Sequence, residues 1–229
     1  IIKIDAEKRY AIVEPGVVQS QLQQAAAEYG LRFGPDPSTS SRCTIGGMIG
    51  NNACGPHATA YGRTSDNVLE LRLIDGLGRE IIAGQPPQKA GSASLQDSSS
   101  CSEQIKQIPG LRSLVAANLA TIRTEFGRFG RQVSGYSLEH LLPENGCALA
   151  PFLTGTEGTL GVLTQATVRL VPLPKAPVLV ALGFPDMIAA AAAVPKILPL
   201  KPLAVEGMDA RLVEVVRKHK GSGAVPDLP

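Results

Sequence analysis

Between Pro35 and Val68 the chain reads PDPSTSSRCTIGGMIGNNACGPHATAYGRTSDNV, a stretch rich in Gly, Ser, Thr and Asn and almost free of charge. Hydroxyls and bare amides without carboxylates suit an anionic ligand. Glycine belongs where the backbone must turn through positive φ, or where another group approaches the main chain too closely for a Cβ. Gly46, Gly47 and Gly50 would permit such contact, and Thr44, Asn51, Asn52 and Thr64 would hydrogen-bond to oxygens and ring nitrogens. The segment therefore reads as a backbone cradle for a diphosphate and a flat ring system. A glycine-rich structural loop has the same composition, and lone glycine patterns do not separate the two. The segment is neither a Walker A loop, having no Gly-Lys-Ser/Thr, nor a Gly-x-Gly-x-x-Gly dinucleotide fingerprint.

A second motif, Leu153-Thr154-Gly155-Thr156-Glu157-Gly158-Thr159-Leu160-Gly161, places a glycine at every third position ahead of a β-like run. That spacing suits a turn packed tightly against a ligand, with Glu157 accepting from a ribose hydroxyl or an exocyclic amine. It equally suits a glycine-rich strand entry with Glu157 solvated or capping a helix. His57 and His140 join no Ser/His/Asp or Cys/His arrangement by spacing, and Glu139-His140 fits packing on a helix. Asp66, Asp75, Glu144 and Asp209 read as turn and cap residues, which leaves no general base. Cys43, Cys54, Cys101 and Cys147 form no Cys-x-x-Cys pair, so no zinc or iron–sulfur site is written here, and free thiols in a reducing cytoplasm are expected.

These motifs need elements to hold them. Ile1–Asp5 and Tyr10–Val13 are short β-branched runs that predict a hairpin. Val17–Tyr29 carries Val18, Leu22, Ala25, Ala26 and Tyr29 at helical spacing and is stopped by Gly30. Thr44 is placed to cap a short helix through Met48 and Ile49, whose N-terminus would aim unsatisfied amides at an anion. Val68–Ile74 and Arg79–Ala83 flank Asp75-Gly76-Leu77-Gly78 as a second hairpin. Residues 84–101 are polar and read as an exposed, disordered loop. Helices are expected over Leu111–Ala120 and Ser137–Leu142, joined by a basic connector with Arg123, Arg128 and Arg131. Val162–Leu170 alternates as a strand, and Pro172 and Pro174 mark a boundary. Beyond it, Val178–Leu182 and Leu203–Glu206 read as strands and Met187–Leu198 and Ala210–Arg217 as helices. These last ~55 residues are too few to close a core of their own.

Composition narrows the partners. At 44% hydrophobic and 18% charged the 229 residues are globular in type. The net charge is only +2, the 22 basic residues are scattered and aromatics make up 4%, so nucleic acid is not an expected partner. No apolar run approaches the ~20 residues of a membrane helix.

Taken together, PDPSTSSRCTIGGMIGNNACG, the Tyr61-Gly62-Arg63-Thr64 step and GTEGTLGVLTQATVRLVPLP resemble the FAD-linked oxidases. These are the PCMH-type or vanillyl-alcohol-oxidase flavoproteins, here in the branch of D-lactate, glycolate and D-2-hydroxyglutarate dehydrogenases. The likeness runs from Ile1 to about Pro174. The wording around Ser137–Pro143 and Leu203–Asp209 is similar, more narrowly, to long bacterial members with a C-terminal iron–sulfur region.

The resemblance implies an α+β chain. Residues 1–172 would be a PCMH-type FAD-binding domain lacking its N-terminal subdomain, with a mixed or antiparallel sheet flanked by helices. Residues 173–229 would begin a ferredoxin-like α+β substrate domain. The family's own pyrophosphate loop is expected before Ile1. The groups that hold a 2-hydroxy carboxylate, and any iron–sulfur cysteines, are expected outside this chain. Non-covalent FAD is implied, with Pro35, Ser38, Thr39, Thr44, Gly46, Gly47, Gly50, Asn51, Asn52, Gly55, Tyr61, Gly62 and Thr64 as its neighbours. Glu157, Gly158, Gly161 and Val162 would lie nearer the adenine. The implied parent oxidises a small D-2-hydroxy acid, like lactate, glycolate or 2-hydroxyglutarate, by hydride transfer to flavin and passes electrons to an acceptor that the sequence does not name. Its expected place is the cytoplasm or the inner face of the membrane. The alternatives are a non-catalytic scaffold of the same fold and an alcohol or sugar oxidase of the same superfamily.

Overall fold

A computed structural model describes residues 1–84, 105–129 and 135–220, and the chain divides into two compact units, Ile1–Leu173 and Pro174–Pro229. In the first unit the β-branched runs form β1 (Lys3–Asp5) and β2 (Tyr10–Val13), paired antiparallel with Ile4 opposite Ala11. Helix α1 (Gln19–Ala27) follows, with the Gln21 side chain accepting from the Val18 N–H at 3.1 Å. Its inward residues Leu22 and Ala26 are fully buried, and Gly30 ends the turn after it at a φ of 66°. β3 (Leu31–Phe33) runs from there into the glycine-rich segment.

That segment folds into three short helices, α2 (Ile45–Gly50), α3 (Ala58–Tyr61) and α4 (Thr64–Asn67), before β4 (Val68–Ile74) and β5 (Glu80–Gly84) make the second hairpin. Asp75 organises the hairpin turn by accepting from the Leu77 and Arg79 N–H groups, both at 2.9 Å, and from Arg79 Nε at 2.8 Å. The helix expected over Leu111–Ala120 is two, α5 (Leu111–Ala117) and α6 (Leu119–Glu125), broken at Asn118. Asn118 closes α5 by donating from Nδ2 to the Leu114 carbonyl at 2.8 Å. Arg123, expected in the connector, lies on α6. The Ser137–Leu142 stretch is a 3₁₀ turn over Leu138–Leu141, cut short as Leu142 turns extended ahead of Pro143. Helix α7 (Leu149–Leu153) leads to β6 (Val162–Pro172). The expected loop over 84–101 lies outside the described residues apart from Gly84, which ends β5, as does Arg131.

β6 is the organising strand. It pairs antiparallel with β2, β4 and β3, giving the order β1-β2-β6-β4-β5 with β3 against its C-terminal end. Every described pairing is antiparallel. The core face carries Ala11, Val13, Leu71, Leu73, Ala166 and Val168, covered by Ile45, Met48 and Ile49 of α2 and by Leu149, Phe152 and Leu153 of α7. Burying each larger aliphatic or aromatic side chain contributes about 1.5–3 kcal/mol, which fixes α2 and α7, the elements that carry the two glycine motifs. Cys43 and Cys54 are free thiols, but Cys147 is disulfide-bonded, which corrects the expectation of free thiols throughout. Spacing along the chain does not reveal a pairing made by tertiary approach.

In the second unit, α8 (Met187–Ile197) is capped by Asp186, which accepts from the Ala189 N–H at 2.7 Å, and α9 (Ala210–Lys220) ends in Arg217, Lys218, His219 and Lys220. Those cations suit the negative end of the helix. Val178–Leu182 and Leu203–Glu206, expected as strands, are not strands: neither pairs with a neighbour among the described residues. Apolar runs of this length become strands only when a ladder partner is present. No described residue of this unit is buried.

Candidate cofactor cradle

The glycine-rich segment meets the second motif directly. The Gly155 N–H donates to the Ile49 carbonyl at 2.8 Å and the Glu157 N–H to the Gly50 carbonyl at 3.0 Å, so residues 155–157 dock on the C-terminal end of α2. Gly161 and Val162 are placed elsewhere, at the start of β6 beside Ile74 of β4. Glu157, Gly158 and Val162 are exposed.

The N-terminus of α2 differs from expectation. Thr44 caps it as foreseen, accepting from the Gly47 N–H at 3.1 Å. The remaining first-turn amides are also satisfied: Ile45 N–H by the Val17 carbonyl at 2.8 Å, Gly46 N–H by the Pro15 carbonyl at 2.8 Å and Met48 N–H by the Thr44 carbonyl at 2.9 Å. This helix end therefore aims no unsatisfied amide at an anion. Gly46 is glycine for packing, since a Cβ there would lie 2.6 Å from the Pro15 Cβ.

Two further residues serve the scaffold. Asn52, 3% exposed and left-handed at a φ of 46°, accepts at Oδ1 from the Ser65 N–H at 2.9 Å. Thr64 is fully buried and donates from its hydroxyl to the Ala53 carbonyl at 2.6 Å. Tyr61 and Gly62 offer half-buried surface, with the Tyr61 carbonyl held by Asn67 Nδ2 at 2.7 Å. Gly47, Gly50 and Asn51 line the accessible side of α2.

Free donors are found in the loops. Pro35 is buried, its carbonyl accepting from Gln19 Nε2 at 3.0 Å, and Ser38 and Thr39 follow in an accessible turn. The amides of Ser38, Thr39, Cys54 and Gly55 make no hydrogen bond among the described residues. Four backbone donors, two hydroxyls and no unpaired carboxylate on these loops fit a ligand rich in acceptor oxygens and nitrogens, as a dinucleotide is.

Spacing alone misses a cluster beside these donors. Asp36 Oδ1 accepts from the His57 N–H at 3.1 Å, Asp36 Oδ2 contacts His57 Nδ1, and Arg32 Nη2 lies 3.7 Å from the same carboxylate oxygen. The only available sequence signal is a polar residue inside each half of the segment, 21 positions apart. His140 also departs from a plain packing residue. Its Nε2 and the Glu139 Oε2 are buried without partners. Burial holds the His140 imidazolium well below the usual histidine range against the pull of the Glu139 carboxylate; Arg63 adds to the lowering and Asp66 opposes it. Among the described residues no group of His, Cys, Asp and Glu could hold a metal ion, and no helix is long and apolar enough to cross a membrane.

Residues 1–84 match the family described as FAD binding domain. The chain is 33% identical over 220 residues to D-2-hydroxyglutarate dehydrogenase of Pseudomonas putida, an alignment covering 95% of this chain and 22% of that protein. It is 32% identical to D-lactate dehydrogenase of Archaeoglobus fulgidus, over 96% of this chain and 38% of that protein. It is 29% identical to glycolate oxidase subunit GlcD of Bacillus subtilis, over 97% and 37%. The chain thus spans between about a fifth and two fifths of these relatives' lengths. Among solved structures, alkyldihydroxyacetonephosphate synthase shares the fold with a TM-score of 0.58 at 16% identity, covering 98% of this chain and 31% of that one.

Proposed function

We propose, from the match of residues 1–84 to the FAD binding domain family, that this chain is the flavin-holding part of an enzyme that oxidises a D-2-hydroxy acid. The observation that carries the proposal is the docking of residues 155–157 on the end of α2, which joins both glycine motifs in one wall. Relatives aligned over 95–97% of this chain are dehydrogenases of D-2-hydroxyglutarate and D-lactate and a glycolate oxidase subunit, whose named substrates share one 2-hydroxy carboxylate group. In this reading residues 1–172 are the FAD-binding domain and residues 173–229 open the substrate domain.

Bound non-covalently, FAD would supply the hydride acceptor for the substrate's C2 hydrogen. This chain's own residues would bind and orient it. Ser38, Thr39 and Gly55 would offer donors from the loops, Gly47, Gly50 and Asn51 the accessible side of α2, and Tyr61 and Gly62 its continuation. Glu157, Gly158, Gly161 and Val162 would stand on the adenine side. Pro35, Thr44, Gly46, Asn52 and Thr64 would act by shaping that wall. The electron acceptor, and a location in the cytoplasm or at the inner face of the membrane, belong to the same proposal.

The test uses the full-length gene product under anaerobic conditions. D-2-hydroxyglutarate, D-lactate and glycolate are added in turn while the flavin band near 450 nm is followed. Bleaching by at least one of them supports the assignment. A flavin band that none of them bleaches refutes it.

A further inference from the structure

The accessible donors of the cradle sit on two loops that α2 separates in sequence. Ser38 and Thr39 follow Asp36, whereas Cys54 and Gly55 precede His57. Asp36 joins them with both of its oxygens: Oδ1 accepts from the His57 backbone N–H at 3.1 Å and Oδ2 meets ring Nδ1. A carboxylate at Nδ1 requires the ring proton there, which leaves Nε2 as the ring's other polar atom, without a partner among the described residues. Arg32 backs the pair, its Nη2 lying 3.7 Å from Asp36 Oδ2 and 3.4 Å from His57 Nδ1. The three side chains are only 15%, 21% and 23% exposed for Arg32, Asp36 and His57, so solvent screens the contact weakly.

The crossing is also tight in its backbone. A Cβ on Gly55 would run into the Asp36 carbonyl and would lie 2.8 Å from Asp36 Oδ1. Nothing larger than glycine fits there while the two loops keep their contact. The His57 ring lies 6.0 Å from the Tyr61 ring, which extends the clamp to α3.

We propose that Asp36 and His57 form a positioning pair that sets the separation of the two donor-bearing loops and thereby the affinity and environment of the bound flavin. The inference rests on the reading of Pro35–Thr64 as an FAD wall. The pair touches no reacting atom in this account; its effect passes through the amides of Ser38, Thr39, Cys54 and Gly55.

The experiment compares wild type, His57→Phe, His57→Asn and Asp36→Asn in the full-length gene product. Deflavinated protein is titrated with FAD, the absorption band of the bound flavin is recorded, and the urea midpoint of each apoprotein is measured. His57→Phe keeps ring volume but removes the donor; His57→Asn returns an N–H near the Nδ1 position. His57→Phe is expected to weaken FAD binding about 10- to 100-fold, the loss associated with one charge-assisted hydrogen bond, and to shift the flavin band. His57→Asn is expected to recover most of both. If His57→Phe does not fold, Asp36→Asn, which keeps the shape and loses the charge, carries the same expectation. Unchanged affinity and spectrum in the folded variants overturns the clamp alone. A wild-type protein that binds no FAD overturns the clamp together with the reading beneath it.

Discussion

Replacing Asn52 tests whether this residue of the cradle acts by building the wall. Its side chain is buried, its backbone is left-handed at a φ of 46°, and its Oδ1 is the acceptor of the buried Ser65 N–H at 2.9 Å. Asn52→Ala leaves that N–H without an acceptor, costing about 1–3 kcal/mol. It also places a residue with no side-chain amide in the left-handed region, costing about 1–2 kcal/mol more. The sum is about 2–5 kcal/mol, or a fall in Tm of roughly 4–20 °C for a chain of this size. Asn52→Gly relieves the backbone but not the orphaned donor, so it is expected to recover about 1–2 kcal/mol of the loss. Asn52→Asp keeps an acceptor in place and is expected to stay closest to wild type. Urea unfolding followed by circular dichroism gives the three values from midpoints at constant slope. An alanine variant within about 0.5 kcal/mol of wild type, the range of a neutral surface change, would refute the structural role. So would a glycine variant no better than alanine.

Three further expectations address other parts of the chain. Arg123 holds the Glu144 carboxyl down at about 2 through a two-pronged contact at 2.7 and 3.1 Å. Stability from that pair is present above the usual glutamate range and is lost as pH falls towards 2; carbon NMR should show Glu144 titrating near there and returning towards its ordinary value in Arg123→Gln, and an ordinary value in wild type would refute it. His140, whose pKa burial lowers, should remain neutral below the usual histidine range, so its stabilising effect is present above the unfolded value of 6.5 and is lost as pH falls through the folded one; a proton NMR titration showing His140 charging at or above 6.5 would contradict this. Thr44→Ala removes the α2 cap and is expected to cost about 1 kcal/mol in urea unfolding, with Thr44→Ser nearly neutral; equal loss in both would show that the hydroxyl is not what matters.

The parts of the fold legible in the sequence are those set by neighbours along the chain. The β1–β2 and β4–β5 hairpins, the body of α1, the Thr44 cap and the alternation of β6 follow from periodicity and turn chemistry over a few residues. What failed depends on contacts made at a distance. Val178–Leu182 has strand composition but no ladder partner among the described residues, and composition does not show whether a partner arrives. The break at Asn118 is the exception, a local one: its side chain bonds the Leu114 carbonyl four residues back and splits a helix that apolar spacing alone would carry through.

The candidate site divides in the same way. The glycine pattern marks both motifs in the sequence, but their contact is seen only in the backbone hydrogen bonds from Gly155 to Ile49 and from Glu157 to Gly50. The reasons for individual glycines were hidden, because Gly46 answers to Pro15 and Gly55 to Asp36, residues 31 and 19 positions away. The expected anion site at the α2 N-terminus is closed by the Pro15 and Val17 carbonyls, which no local rule brings there. For the same reason the Asp36–His57 pair emerges only when the loops cross.

The central claim is that Pro35–Thr64 and the Gly155–Val162 region hold FAD without a covalent bond. Its most direct test is the visible spectrum of the purified full-length gene product before and after acid precipitation. The account predicts a yellow protein with a flavin band that moves entirely into the supernatant and is identified there as FAD. A colourless protein that takes up no added FAD, or flavin that stays with the pellet, would contradict it.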